Sequence, residues 1–311
     1  MLTEDRYYEH SGRFGPAGVV ATLLAGAVTA LILGPLYGLI SFINPFIYVN
    51  FLLACGLGLA VGWMAGGGAR AGKVRHVGAT AALAAVAGLV AVYGNWVAYI
   101  LVLSEGELLA VSPARLLWAI GLVADNGAWH LSDWTPTGAV LWALWALEAA
   151  IIVGLAVYAA RRRIAQGAFC ERCQRWAEGE TLAPYTLTAD RPDLVEALEA
   201  GRYEALGAFA RAPEGANPHA EFDLAACPAC GDFRLLSIRH VAEVAGKKKK
   251  EKTRQVSDIV RNLMVDARAH EIVRGLPAAP PEPAGADEAG GPSEAGAAPA
   301  PEQAEAEKEP T

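Results

Sequence analysis

Residues 147–173 read LEAAIIVGLAVYAARRRIAQGAFCERC, and three kinds of chemistry follow one another there almost without a linker. An apolar run carrying one carboxylate, Glu148, closes in three consecutive arginines, Arg161–Arg163. Only the short segment 164–169 separates the last arginine from the first cysteine of a Cys-x-x-Cys pair. At about 1.5 Å of rise per residue, a continuing helix crosses that gap in about 10 Å. The stretch therefore predicts a membrane span, a charge lock and a metal knuckle in series, with two unlike bodies hinged at this point.

Upstream of the arginines the chain is too apolar for an ordinary soluble domain. Hydrophobic residues make up 53% of the whole, mean hydropathy is +0.27, and most of that character lies before Arg161. No charge occurs between Phe14 and Ala69, or between Val77 and Ser104. Runs of more than about 20 uncharged apolar residues read as membrane spans. Four are expected, at 16–40, 46–64, 77–103 and 137–160. The first is too long for the apolar region of a cleaved signal and reads as a retained span. Gly34 and Pro35 predict a kink near its end, and residues 66–75 read as a flexible basic loop.

Lysine and arginine near the span ends set the orientation. Arg70, Lys73 and Arg75 cluster after the second span and Arg161–Arg163 after the fourth, whereas 104–135 holds only Arg115 against four acids. Both termini are accordingly expected in the cytoplasm. The Ala-, Gly- and Arg-rich composition suggests a bacterium, and hence its inner membrane. Ser112 and Pro113 open a short helix, about 113–124, too short to cross; with Trp118, Trp129 and Trp134 it reads as interfacial. Gly58, Gly62 and Gly66, like Gly34 and Gly38, mark close-packing faces toward other helices or toward a second copy in a homo-oligomer. Glu148 is the one ionisable residue well inside a span, with Asn95 and His130 as expected partners. Cys55 reads as a packing residue.

After the arginines come Cys170-Glu-Arg-Cys173 and Cys227-Pro-Ala-Cys230-Gly231. Each pair aims two thiolates at one ion, and two pairs complete a tetrahedral all-sulfur site. A reducing cytoplasm argues against disulfides. These knuckles resemble those of the zinc-ribbon group of domains, whose rubredoxin-like turns read Cys-Pro-x-Cys-Gly; the first departs from the pattern in having Gln174 where glycine is usual. The resemblance implies a bound zinc ion, held by Cys170, Cys173, Cys227 and Cys230, and a small β-ribbon. Iron in the same site is the alternative. Between the knuckles the sequence predicts two short helices broken at Gly201. Beyond them it predicts a strand over 232–244 and a turn at Lys247–Lys250. The return segment 254–265 fits strand and helix spacing equally, and a last helix runs from Asp266 to Arg274. The lysine run reads as a solvated turn, or as a contact with anionic lipid headgroups.

From Leu276 the chain holds eight acids against Lys308, which accounts for the entire net charge of −7; this segment reads as a disordered acidic tail. The expected organisation is a cytoplasmic N-terminus (1–13), a four-helix transmembrane domain (14–163), a cytoplasmic zinc-ribbon-like α+β domain (164–275) and the tail (276–311). No Walker loop, metalloprotease motif or nucleophile elbow occurs, and no basic face is interleaved with aromatics for nucleic acid. The leading expectation is a non-enzymatic membrane protein whose four-cysteine domain binds or scaffolds another protein. The alternatives are a small transporter or channel component using Glu148, and a membrane-anchored electron carrier.

Overall fold

The computed structural model describes residues 6–44, 46–128, 135–186, 191–245 and 252–278. Among the described residues, four helices are long and apolar enough to cross a membrane: α1 (Pro16–Ile43), α2 (Ile47–Ala71), α3 (Val77–Leu103) and α5 (Gly138–Ala165). A shorter α4 (Pro113–Asn126) stands between the last two, and an antiparallel sheet domain follows. Ser112 caps α4, its side chain accepting from the Arg115 N–H, as the sequence predicts. Trp129, His130 and Trp134 lie outside the described residues, as do Lys247–Lys250 and residues 279–311.

The bundle is assembled from small residues. Gly18, Thr22, Gly26, Ala30, Gly34 and Gly38 form the buried stripe of α1, while Val28, Leu31 and Ile32 point outward and are more than half exposed. A β-carbon on Gly34 would lie 2.5 Å from the Ala91 carbonyl oxygen of α3, and one on Gly58 2.5 Å from the Ile152 carbonyl oxygen of α5. Backbone-to-backbone approach of this kind is what closely spaced glycines permit. The two glycine series thus meet α3 and α5 of the same chain.

Three helix ends differ from the sequence expectation. The segment 66–71 is not a loop: α2 continues through Gly66-Gly67-Gly68 to Ala71. Glycine is a poor helix former, so the run reads as a break. Here its bareness lets α2 lie against Ala160 of α5 and Ala21 and Ala25 of α1, and this packing outweighs the propensity. In α1 the helix likewise runs past Pro35 to Ile43. The fourth span extends beyond Arg161–Arg163 to Ala165, carrying the arginines on its last turns.

In the sheet domain, β1 (Phe169–Cys170) and β2 (Arg175–Trp176) form a two-stranded ribbon. A five-stranded antiparallel sheet follows, built from β3 (Glu178–Thr186), β4 (Ala210–Arg211), β5 (His219–Ala226), β6 (Arg234–Ala245) and β7 (Lys252–Val265). Its order is β4-β3-β5-β6-β7. The ambiguous segment 254–265 is therefore a strand, paired with β6 along most of its length. One face packs on α6 (Arg191–Glu199), a 3-10 turn over 203–208 and α7 (Ala267–Arg274) around Tyr185, Phe209, Phe222 and Leu236. The other face is polar, with Arg239 bonded to Glu221 and Asp223. Leu276 is buried in the same core and the Arg211 N–H bonds the Pro277 carbonyl, so the folded domain passes the expected boundary at 275.

His270 on α7 is 2% exposed, its Nε2 3.0 Å from the Leu235 carbonyl oxygen. Burial holds its pKa below the ordinary 6.5. The unfolded chain then takes up the proton more readily than the folded one. The stability due to the neutral ring is present above pH 6.5 and is lost as pH falls through the depressed value. Thermal unfolding at pH 7.5 and 5.5 should show a loss on acidification that His270→Gln reduces.

Candidate metal centre

The first knuckle is the turn between β1 and β2, and the second is the turn from β5 into β6. Each is shaped by one residue with left-handed backbone just after its second cysteine: Gln174 at φ 54° and Gly231 at φ 66°. Gly231 adopts that conformation without penalty. Gln174 does so with its side-chain Nε2 donating to the Glu171 carbonyl at 2.7 Å. The departure from glycine therefore does not alter the turn. The β-branched Gln174→Val is expected to cost about 1–2 kcal/mol and to speed metal loss to a chelator, whereas Gln174→Gly keeps the metal; release followed with a colorimetric metal indicator checks both.

The sheet brings the two knuckles together. The Sγ atoms of Cys170, Cys173, Cys227 and Cys230 all lie within 4.8 Å of one another. Cys170 and Cys230 are 3.9 Å apart. A tetrahedral ion with metal–sulfur bonds of about 2.3 Å requires sulfur–sulfur edges of about 3.8 Å. That separation is far beyond the roughly 2.05 Å of a disulfide. Cys170 and Cys227 are buried, and Cys173 and Cys230 half-buried.

The proton affinities point the same way. Backbone N–H groups of Phe233 and Asp232 pull the Cys230 thiol down to about 6. Its hydrogen bond with Cys230, together with desolvation and the other thiols, pushes Cys173 up to about 12. Burial raises Cys170. Four sulfurs this close cannot all ionise unless a cation sits among them, and a bound divalent ion deprotonates coordinating thiols outright. The donor set thus fits a metal ion such as zinc, with the four thiolates as its ligands.

No family model, curated protein or solved structure matches this chain. Its chemistry is carried by the contacts around the cysteines, and these lock the centre to the bundle. Arg75 is 8% exposed, its Nε 2.9 Å from Glu171 inside the first knuckle. Its guanidinium stands over the Phe169 ring, 4.5 Å from the centroid. Arg70 stacks on Trp176 at 4.5 Å, and the Trp176 Nε1 donates to the Arg70 carbonyl. Arg163 lies over Trp63 at 4.1 Å. Of the basic residues that the sequence assigns to orientation, Arg70 and Arg75 hold rings of the first knuckle, whereas Arg163 packs on Trp63 and Arg162 on Tyr158 within the helices.

The N-terminal segment straps the joint. Tyr8 accepts a hydrogen bond from the Phe169 N–H and donates its own N–H to Asn262 of β7. Ser11 donates to Glu171, and the Arg13 carbonyl accepts from the Arg75 N–H. Tyr7 donates to Glu199 of α6. Sequence reasoning finds no role for Tyr8, Ser11, Glu171 or Trp176. The only available signal is the density of aromatic and basic residues on either side of the knuckle.

Proposed function

We propose that this chain is a multi-pass protein of the bacterial cytoplasmic membrane, with both termini inside, whose zinc-ribbon-like domain is a protein-binding or scaffolding module stapled by a structural zinc ion. The observation that carries this reading is the closed four-sulfur cluster at the joint. Four protein ligands complete a tetrahedron and leave no position for water or substrate, which is the arrangement of structural rather than catalytic zinc. Placement in the membrane is supported by the outward-facing aliphatic side chains of the four long helices, for which lipid is the favourable solvent. Orientation rests on the basic residues at the ends of α2 and α5.

The edge of β7 is the surface suited to a partner. Beyond the contacts of Tyr7 and Tyr8 near Asn262 and Leu263, its outer side has no neighbouring strand among the described residues. Such an edge can accept an added strand, with Val256, 48% exposed, offering an apolar anchor. Metal analysis of the purified protein comes first: colourless protein with bound zinc supports the structural reading, and red iron-loaded protein replaces it with electron transfer. A photo-crosslinking residue at Val256 in native membranes should then yield a discrete protein adduct, while one at the exposed Glu214 should not. No adduct, or the same adducts from both positions, overturns the binding role.

A further inference from the structure

At the end of the bundle away from the sheet domain, α1, α2, α3 and α5 line a half-open cavity of about 270 Å³. Its walls are mainly apolar and aromatic, among them Phe51, Leu144 and Ile151. Trp96 stands between two rings, its centroid 4.7 Å from that of Trp145 and 5.6 Å from that of Tyr99, both edge-on. Glu148 enters from α5 and accepts a hydrogen bond from the Tyr37 hydroxyl of α1. Of its two expected partners, His130 lies outside the described residues. Asn95 lines the same cavity but does not bond Glu148. It is only 7% exposed, and its Oδ1 is shielded against Gly38 of α1 rather than turned to the cavity.

One need is therefore left unmet in this small space. A carboxylate in apolar surroundings calls for a counter-cation, and no basic side chain among the described residues lines the cavity. Three aromatic rings add an attraction for positive charge. The walls also favour a ligand with a hydrocarbon part, which an inorganic ion lacks. The volume falls just below the roughly 300–1,000 Å³ of sites for drug-sized molecules, so the ligand is small.

We propose that this cavity is a binding site for a small organic ammonium, its charge held by Glu148 and its apolar body held among Trp96, Tyr99 and Trp145. The site does not depend on the metal centre or on the binding role of the sheet domain.

The test uses full-length protein in nanodiscs, with hexylammonium as probe and hexan-1-ol as its uncharged counterpart. Titration followed by tryptophan fluorescence should show saturable binding about tenfold tighter for hexylammonium, the preference expected when a buried charge finds its partner. Glu148→Gln should abolish that preference. Equal affinity for the two probes, or an unchanged preference in Glu148→Gln, overturns the proposal. A second measurement needs no variant: modification of Glu148 by an apolar carbodiimide, followed by peptide mass spectrometry. Hexylammonium should slow it severalfold, while hexan-1-ol and sodium chloride should not. Equal protection by all three, or none by hexylammonium, also overturns it.

Discussion

Cys227→Ser is expected to release the bound metal and open the joint between bundle and sheet domain. Cys227 is 2% exposed, and its N–H is tied to the Phe233 carbonyl at 2.9 Å, so a hydroxyl there has no freedom to find a different coordination. A serine hydroxyl is a poor replacement for a thiolate toward a soft divalent ion. Structural zinc supplies about 10–16 kcal/mol of apparent binding free energy at neutral pH, and that energy is also folding energy. Loss of one of four ligands should therefore take bound metal from near stoichiometric to almost none, as read by elemental analysis. Because Phe169, Glu171 and Trp176 sit on the first knuckle, its release should also free Arg70 and Arg75. Protease cleavage between Cys170 and Trp176 should rise accordingly. Cys55→Ser, in α2, should change neither readout. Full metal occupancy in Cys227→Ser would show that the four sulfurs do not make the site.

Gly62→Val should be the most damaging single change within the long helices. A β-carbon at Gly62 would overlap the backbone of Ala156 in α5, which unlike a flexible side chain cannot turn aside. The helices must separate, and contacts along the adjoining positions Gly58–Ile152 and Gly66–Ala160 weaken with them. Overpacking of this kind costs about 1–3 kcal/mol, and the whole valine side chain places the change at the upper end. A lowered thermal midpoint in detergent is the measurement. Gly56→Ala is the control: nothing lies within 4 Å of a β-carbon there, and alanine is the better helix former. It should be neutral or slightly stabilising. A Gly62→Val midpoint equal to that of Gly56→Ala would contradict the packing of α2 on α5.

How much of this was legible depended on whether the cause was local. The four long helices are visible because absence of charge over more than 20 residues is a property of the segment itself. The cap at Ser112 and the helix after Asp266 are visible for the same reason: each is set by side-chain oxygens reaching backbone N–H groups two or three residues on. The Gly66–Gly68 run was misleading, since intrinsic propensity opposes the helix and only packing against α1 and α5 supports it. Segment 254–265 was undecidable from its apolar spacing, and pairing with β6 decided it.

The sequence by itself determined which segments are long and apolar enough to cross a membrane and which four cysteines could share an ion. Apolar runs without charge, basic clusters at their ends and paired cysteines at fixed spacing each express what a short segment can do alone. Only the tertiary structure decided the rest. It brought Cys170 and Cys230 to 3.9 Å across sixty positions of chain, and set Arg75 against Glu171 and Arg70 on Trp176. It also placed Tyr37, not the expected Asn95, on Glu148. These contacts depend on which helices and strands are neighbours, which no local pattern encodes. The physical reason is that side-chain hydrogen bonds, ring contacts and metal–thiolate bonds act only over a few ångströms. The stretch 147–173 is therefore one part of a packed joint, its helix end and first cysteine pair held by the N-terminal strap and met by the second cysteine pair.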